Sequence, residues 1–140
     1  MRIKTKCGVQ WAGSNDWLSF KFCSDGNCCS TSGIKLTNGN ENSVKKHPVD
    51  CTTPDRFEDS KLGSCKGLRF DTGSKITGQV SYSSLTQTTY NGWHGEWIKL
   101  ISKDGIIFKC AILGWIDGDN QSCVNSTCPI SRDFICKIQV

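Results

Sequence analysis

The sequence predicts an all-β fold, an antiparallel two-sheet sandwich of about eight strands that is stabilised by disulfides and contains little helix. Three features of the chain carry this expectation. Ten cysteines occur in 140 residues, an even number that an oxidising compartment converts to bridges, each contributing about 2–4 kcal/mol by restricting the unfolded chain. Short apolar runs alternate with the period of two that buries one face of a strand. Gly, Ser, Thr, Asn and Asp punctuate these runs, and no window shows a capped apolar stripe at helical spacing.

A first strand carrying Cys7 is expected at the start of the chain. Residues 17–23 then alternate cleanly, with Leu18, Phe20 and Phe22 on one face and Ser19 and Lys21 on the other. Cys28 and Cys29 are adjacent on one strand, so they point to opposite faces and must bind different partners. Residues 36–64 are polar and irregular, and read as one long connection pinned by Cys51 and Cys65. Residues 76–82 return to alternation, with Ile76, Val80 and Tyr82 inward. Residues 97–102 and 105–113 flank Lys103 and Asp104, and Asp104-Gly105 is a strong hairpin signal. The second of these strands is apolar on both faces and is therefore expected to be central. Residues 118–132 form a Cys-bounded polar loop, and Phe134, Cys136 and Ile138 alternate along a closing strand.

The length fits one domain, residues 1–140, large enough to bury a core. Cys7, Cys23, Cys28, Cys29, Cys51, Cys65, Cys110, Cys123, Cys128 and Cys136 include no CxxC pair, and only two histidines accompany them. That spacing disfavours zinc and favours five bridges. Cys123 with Cys128 would clip a short loop, and Cys7 with Cys136 would tie the first strand to the last. The pairing as a whole is not fixed by sequence. The longest apolar stretch, residues 106–116, is interrupted by Lys109 and Gly114 and falls short of the ~20 residues that a membrane-crossing helix needs. Residues 1–6 lack an apolar signal core, so the chain reads as a mature secreted form whose precursor carries a signal peptide. Sequons at Asn120 and Asn125 agree with an extracellular location. The net charge of +4 permits attraction to anionic lipid or glycan. Its Lys and Arg are scattered along the sequence, which argues against nucleic acid as a partner.

Residues 90–97 concentrate aromatic side chains around two glycines. Trp93 in a loop, with Tyr90 and His94, would stack on a sugar or sit at a lipid headgroup boundary. The opposing reading folds Trp93 back to cap the end of the sandwich, where burial of the ring contributes about 2–3 kcal/mol. Trp97 and Trp115 read as core. Catalysis has little to rest on. Neither His47 nor His94 stands in a motif, and Cys28-Cys29 lacks the His-Asp dyad that accompanies adjacent cysteines in secreted phospholipases. Glu96 and Asp104 have no spacing that marks them as paired acids.

Taken in order, the polar loop ending Ser14-Asn15-Asp16, the segment Asp55-Arg56-Phe57-Glu58-Asp59 with Leu62-Gly63, the run Gly95-Glu96-Trp97-Ile98-Lys99-Leu100, and Ile107-Phe108-Lys109-Cys110 with Gly114-Trp115-Ile116-Asp117 resemble the PLAT (lipoxygenase homology) domain over roughly residues 3–117. The insertion before Cys65, the tail after Gly118 and the many cysteines depart from that pattern. The resemblance implies an eight-stranded sandwich that binds membranes or partner proteins, in some members with Ca2+ held by loop oxygens. Here Trp11 would be an anchor and Asn15 and Asp16 ligands, with Asp117 and Asp119 adding carboxylates to meet the six to eight oxygens that Ca2+ takes. The competing reading of the Asp117–Ser122 segment is a polar turn. The expectation is a secreted, non-catalytic binding module that contacts lipid or a membrane surface through aromatic end loops, with Ca2+ as its one candidate cofactor. The alternatives are a lectin-like carbohydrate-binding module and a protein-binding factor such as a toxin, inhibitor or matrix component.

Overall fold

In the computed structural model, which describes residues 1–6, 17–36, 57–60, 62–82, 93–116 and 131–139, eight antiparallel strands follow one another along the chain. They are β1 (Arg2–Thr5), β2 (Trp17–Ser24), β3 (Asn27–Lys35), β4 (Phe57–Asp59), β5 (Ile76–Tyr82), β6 (Trp93–Ile101), β7 (Ile107–Ile116) and β8 (Ser131–Ile138). A 3₁₀ turn, Gly63–Gly67, is the only helical element among the described residues. The expected all-β, disulfide-linked chain is thus observed. Hydrogen bonds join its strands into one continuous order, β3-β2-β5-β8-β7-β6-β1-β4. The sheet curls on itself, since Phe20 on β2 and Trp93 on β6 meet edge to face across the core with centroids 6.3 Å apart.

Strand β8 makes the corner. Residues from Ser131 to Cys136 pair with β5, whereas only Cys136, Lys137 and Ile138 pair with β7. Cys136 belongs to both ladders and is disulfide-bonded to Cys110, its direct neighbour on β7. The bridge expected between Cys7 and Cys136 is therefore not formed. In the strand order β1 lies beyond β6 and β7 from β8, so the first and last strands are not neighbours. The adjacent cysteines do divide as expected. Cys28 bonds Cys23 across the β2–β3 hairpin, and Cys29 bonds Cys65 in the 3₁₀ turn.

That second bridge draws the turn against β3, a strand at one end of the sheet order. There Ser64 Oγ accepts from the Ser30 N–H at 2.9 Å and donates to the Ser30 carbonyl at 2.7 Å, occupying edge groups that would otherwise offer a template to another strand. Residues 36–64, expected to form one irregular connection pinned by Cys51 and Cys65, are not irregular throughout; Cys65 does tie the segment, to Cys29, and Cys51 lies outside the described residues. The segment contains β4, paired with β1 through Arg2–Asp59, Ile3–Glu58 and Lys4–Phe57, and the start of the turn. Strand β8 likewise begins inside the loop expected over residues 118–132.

The alternation of β2 is realised in full, with Leu18, Phe20 and Phe22 wholly buried. Ile76, Val80, Phe108, Cys110, Ile112, Phe134 and Cys136 complete the inner face from the neighbouring strands. In β6 the inward positions change phase. Trp93 and Gly95 face the core, and so do Ile98 and Leu100, because β6 carries an extra residue relative to β1 between Gly95 and Trp97. Trp97 is buried as expected but lies outside the core cluster, beneath the ammonium of Lys99, which sits 4.5 Å from the centre of its ring.

Two inward glycines make room for rings. A methyl group on Gly95 would lie 2.4 Å from the Trp93 ring, and one on Gly78 would lie 2.3 Å from Phe134, its cross-strand partner, and 2.7 Å from the Lys21 carbonyl. Phe134 reaches over Gly78 to contact Phe22 with centroids 5.8 Å apart. At the hairpin end, the Asp104-Gly105 turn forms as expected, with Gly105 at φ 83°. Both described chain ends lie there too, the Met1 carbonyl accepting from Ser60 and Gln139 donating to the Ile107 carbonyl.

Substituting Gly78→Ala should lower stability by about 1–3 kcal/mol, because backbone as well as ring opposes the added methyl. Denaturant unfolding of the oxidised protein measures this. A midpoint equal to that of the wild type would show that the ring and strand yield without cost.

Candidate functional site

The strand registers set four long connections at one end of the sheet, whereas a fifth, from β4 to β5 through the 3₁₀ turn, lies at the other. Trp17 opposes Lys35, Leu18 opposes Tyr82, Ser81 opposes Ser131, Trp93 opposes Ile116 and Lys4 opposes Phe57. Segments 7–16, 37–56, 83–92 and 117–130 therefore all join the scaffold at the end opposite the hairpin turns. Of the residues singled out from sequence, Trp11, Tyr90, Asn15, Asp16, Asp117, Asp119, Asn120 and Asn125, with Cys7, Cys51, Cys123 and Cys128, fall outside the described residues. Trp93 and His94 are described.

Trp93 does not present its ring to solvent. As the first inward residue of β6 it has no accessible surface, its ring lies over Gly95, and its indole N–H donates to Thr5 Oγ1 at 3.0 Å. With that polar group satisfied, burial carries no hydrogen-bonding penalty, and the reading in which the ring caps the core is the one observed. His94 faces the other way. It pairs across the ladder with Trp115, the rings meeting edge to face at 5.0 Å, so Trp115 packs on the outer side and not in the core. Burial, the largest influence, lowers the His94 pKa below the ordinary value, and the positive charges of Lys6 and Arg132 act in the same direction. A contact of 3.2 Å between Nδ1 and the Gly95 carbonyl works against this. The imidazole is accordingly neutral at pH 7, with its proton on Nδ1 facing that carbonyl.

Two groups that did not stand out in the sequence complete this end. Above Cys110 and Cys136 the β7–β8 ladder stops, leaving β7 carbonyls to find partners elsewhere. Arg132 Nε donates to the Trp115 carbonyl at 2.7 Å, its guanidinium lying over Gly114, and the Tyr82 hydroxyl donates to the Ile116 carbonyl at 3.0 Å. Trp17, at the start of β2, is 41% exposed and is the only tryptophan among the exposed large apolar side chains of the described residues. Its ring lies over Gly33, and the Lys35 ammonium stands 5.7 Å from its centre. The alternation already held this signal, because Leu18 facing inward sends Trp17 outward.

Among the described residues, no group of three His, Cys, Asp or Glu side chains is placed to hold a metal ion. A cleft of about 620 Å³ opens near the hairpin end between Leu62, Leu68, Phe70, Leu100 and Ile101, with Lys103 at its rim. A shallower hollow of about 520 Å³ lies over Lys21, Gln79, Asp133 and Ile135. No family model matches the chain, and no curated protein matches it.

The depressed His94 pKa gives a pH dependence. Its neutral form contributes fully above the unfolded value near 6.5, and this contribution is lost as the pH falls from there through the lower folded value. The melting temperature of the wild type should therefore drop more between pH 7 and pH 5 than that of His94→Gln, as followed by circular dichroism. Equal drops would remove His94 as the cause. Arg132→Met keeps much of the apolar stem but leaves the Trp115 carbonyl without its charged donor, at a cost of about 1.5–3 kcal/mol read from denaturant unfolding.

Proposed function

We propose that this chain is a secreted, non-catalytic binding module that contacts lipid or a membrane surface through the end of the sheet where four of its long connections join. The observation that carries the reading is the exposure of Trp17 at that end, with the Lys35 ammonium beside its ring. An indole with an apolar body and a polar edge suits the headgroup boundary, and a neighbouring cation suits anionic lipid. The three described disulfides are compatible with an extracellular setting. The PLAT-like pattern of the sequence supports the same reading. A sandwich of that kind would divide at the short β7–β8 ladder, leaving four strands on either side. Ca2+ would assist through Asn15, Asp16, Asp117 and Asp119, all of which belong to segments that join this end. Burial of Trp93 removes a ring on which the lipid and the lectin-like readings both drew, so the lipid reading rests on Trp17.

Trp17→Ala should weaken binding to vesicles of mixed neutral and anionic lipid at least several-fold while leaving the melting temperature within a few degrees of the wild type. Co-sedimentation with and without Ca2+ measures it. Undiminished vesicle binding by Trp17→Ala would remove this residue as the anchor, and no binding by the wild type under either condition would overturn the lipid reading.

A further inference from the structure

The cations that are scattered in the sequence are not scattered in space. In the β1–β6 ladder Arg2 is opposite Lys99, in the β6–β7 ladder Lys99 is opposite Lys109, and in the β7–β8 ladder Lys109 is opposite Lys137. Four positive side chains thus stand in one row across four adjacent strands, on the outer face. With strands 4.7–4.9 Å apart, the row is about 14–15 Å long. Lys109 and Lys137 are exposed, Lys99 is half-buried over Trp97, and Arg2 donates from Nε to Asp59 at the β4 edge. No carboxylate among the described residues pairs with Lys99, Lys109 or Lys137.

Like charges directly opposed on a ladder repel one another, so this row opposes the pairing of the strands that carry it. A sheet has no need of such an arrangement for its own stability, and a bound polyanion would relieve the repulsion. We propose that the row is a binding site for a linear sulfated polysaccharide lying across the strands.

The shape of the charge selects this ligand class. On β6 and β7 the row is one residue wide, bounded on its hairpin side by Ile101 and Ile107 and on its other side by Trp97 and Ala111, while on β1 the next outward cation, Lys4, is held by Glu96 at 2.9 Å. A line of charge fits a chain of anionic sugars, whose sulfates recur along one axis. The outer side of a sheet curled around its core is convex, so a flat bilayer would meet only part of the row at once. Single-stranded nucleic acid would call for exposed rings on which bases stack, whereas the one tryptophan beside the row, Trp97, is only 5% exposed and covered by Lys99. This proposal does not depend on the lipid reading, which concerns a different end of the sheet.

The test uses the full oxidised chain on immobilised sulfated glycosaminoglycan eluted with a salt gradient. Lys109→Gln with Lys137→Gln is compared with Lys21→Gln with Lys66→Gln, which has the same net charge but removes exposed lysines elsewhere. The row variant should elute at distinctly lower salt than this control. Its slope of log affinity against log salt should fall by roughly 1–2 through the loss of two counterion-releasing contacts, and Lys109→Arg with Lys137→Arg should restore retention. Its melting temperature at low ionic strength should match or exceed that of the wild type, which separates lost binding from lost folding. Equal elution of the row variant and its charge-matched control would overturn the proposal. Row-dependent binding to single-stranded DNA or phosphatidylserine vesicles, with none to the sulfated glycan, would overturn the ligand assignment. Vesicle binding that responds to Trp17→Ala and not to the row variant keeps the two readings distinct.

Discussion

The shared strand β8 is the constraint on which the rest of this structure depends. It pairs with β5 along six residues and with β7 along three, so it can serve both neighbours only by turning between them. Cys136 stands at that turn and is covalently held to Cys110. Fixing this point brings β2 and β6 face to face and lets Phe20 reach Trp93. It also accounts for the polar contacts above the turn. Once β7 and β8 part, the carbonyls of Trp115 and Ile116 are met by the side chains of Arg132 and Tyr82 instead of by backbone amides.

Within the curled sheet the inner face is filled by large rings set against absent side chains. Phe134 spans Gly78, and Trp93 covers Gly95. A curved sheet crowds its concave side, and a glycine opposite or beside an aromatic residue lets the ring lie flat where two ordinary side chains would collide. The extra residue in β6 serves the same end. By shifting phase between Gly95 and Ile98 it keeps both the indole and the aliphatic pair of Ile98 and Leu100 inside, and it sends Glu96 outward to the ammonium groups of Lys4 and Lys6, 2.9 and 3.7 Å away.

Much of the scaffold was legible in local pattern. Leu18, Phe20 and Phe22 declared their face, Asp104-Gly105 declared its turn, and adjacent cysteines on one strand had to part company, as Cys28 and Cys29 do. What the sequence withheld depends on strand order and register, which no local window contains. The partner of Cys136 follows from β8 lying beside β7. Strand β4 is three residues long within a polar stretch, too short to show an alternation. Trp93 looks like a loop residue because the phase shift just beyond it disguises the period of two. Lys99 and Lys109 share a hairpin, but Arg2 and Lys137 are far from them along the chain, and only three successive registers bring all four into line.

Both ends of the described chain leave from the hairpin side, with Met1 held by Ser60 and Gln139 by Ile107. Any sequence joined to either terminus, natural or added, therefore departs away from the face that carries Trp17 and Lys35. Attachment to a bead, a surface or a fusion partner through a terminal tether would leave that face directed outward and accessible. The sheet can in this sense be carried on a stalk without its polarity being altered.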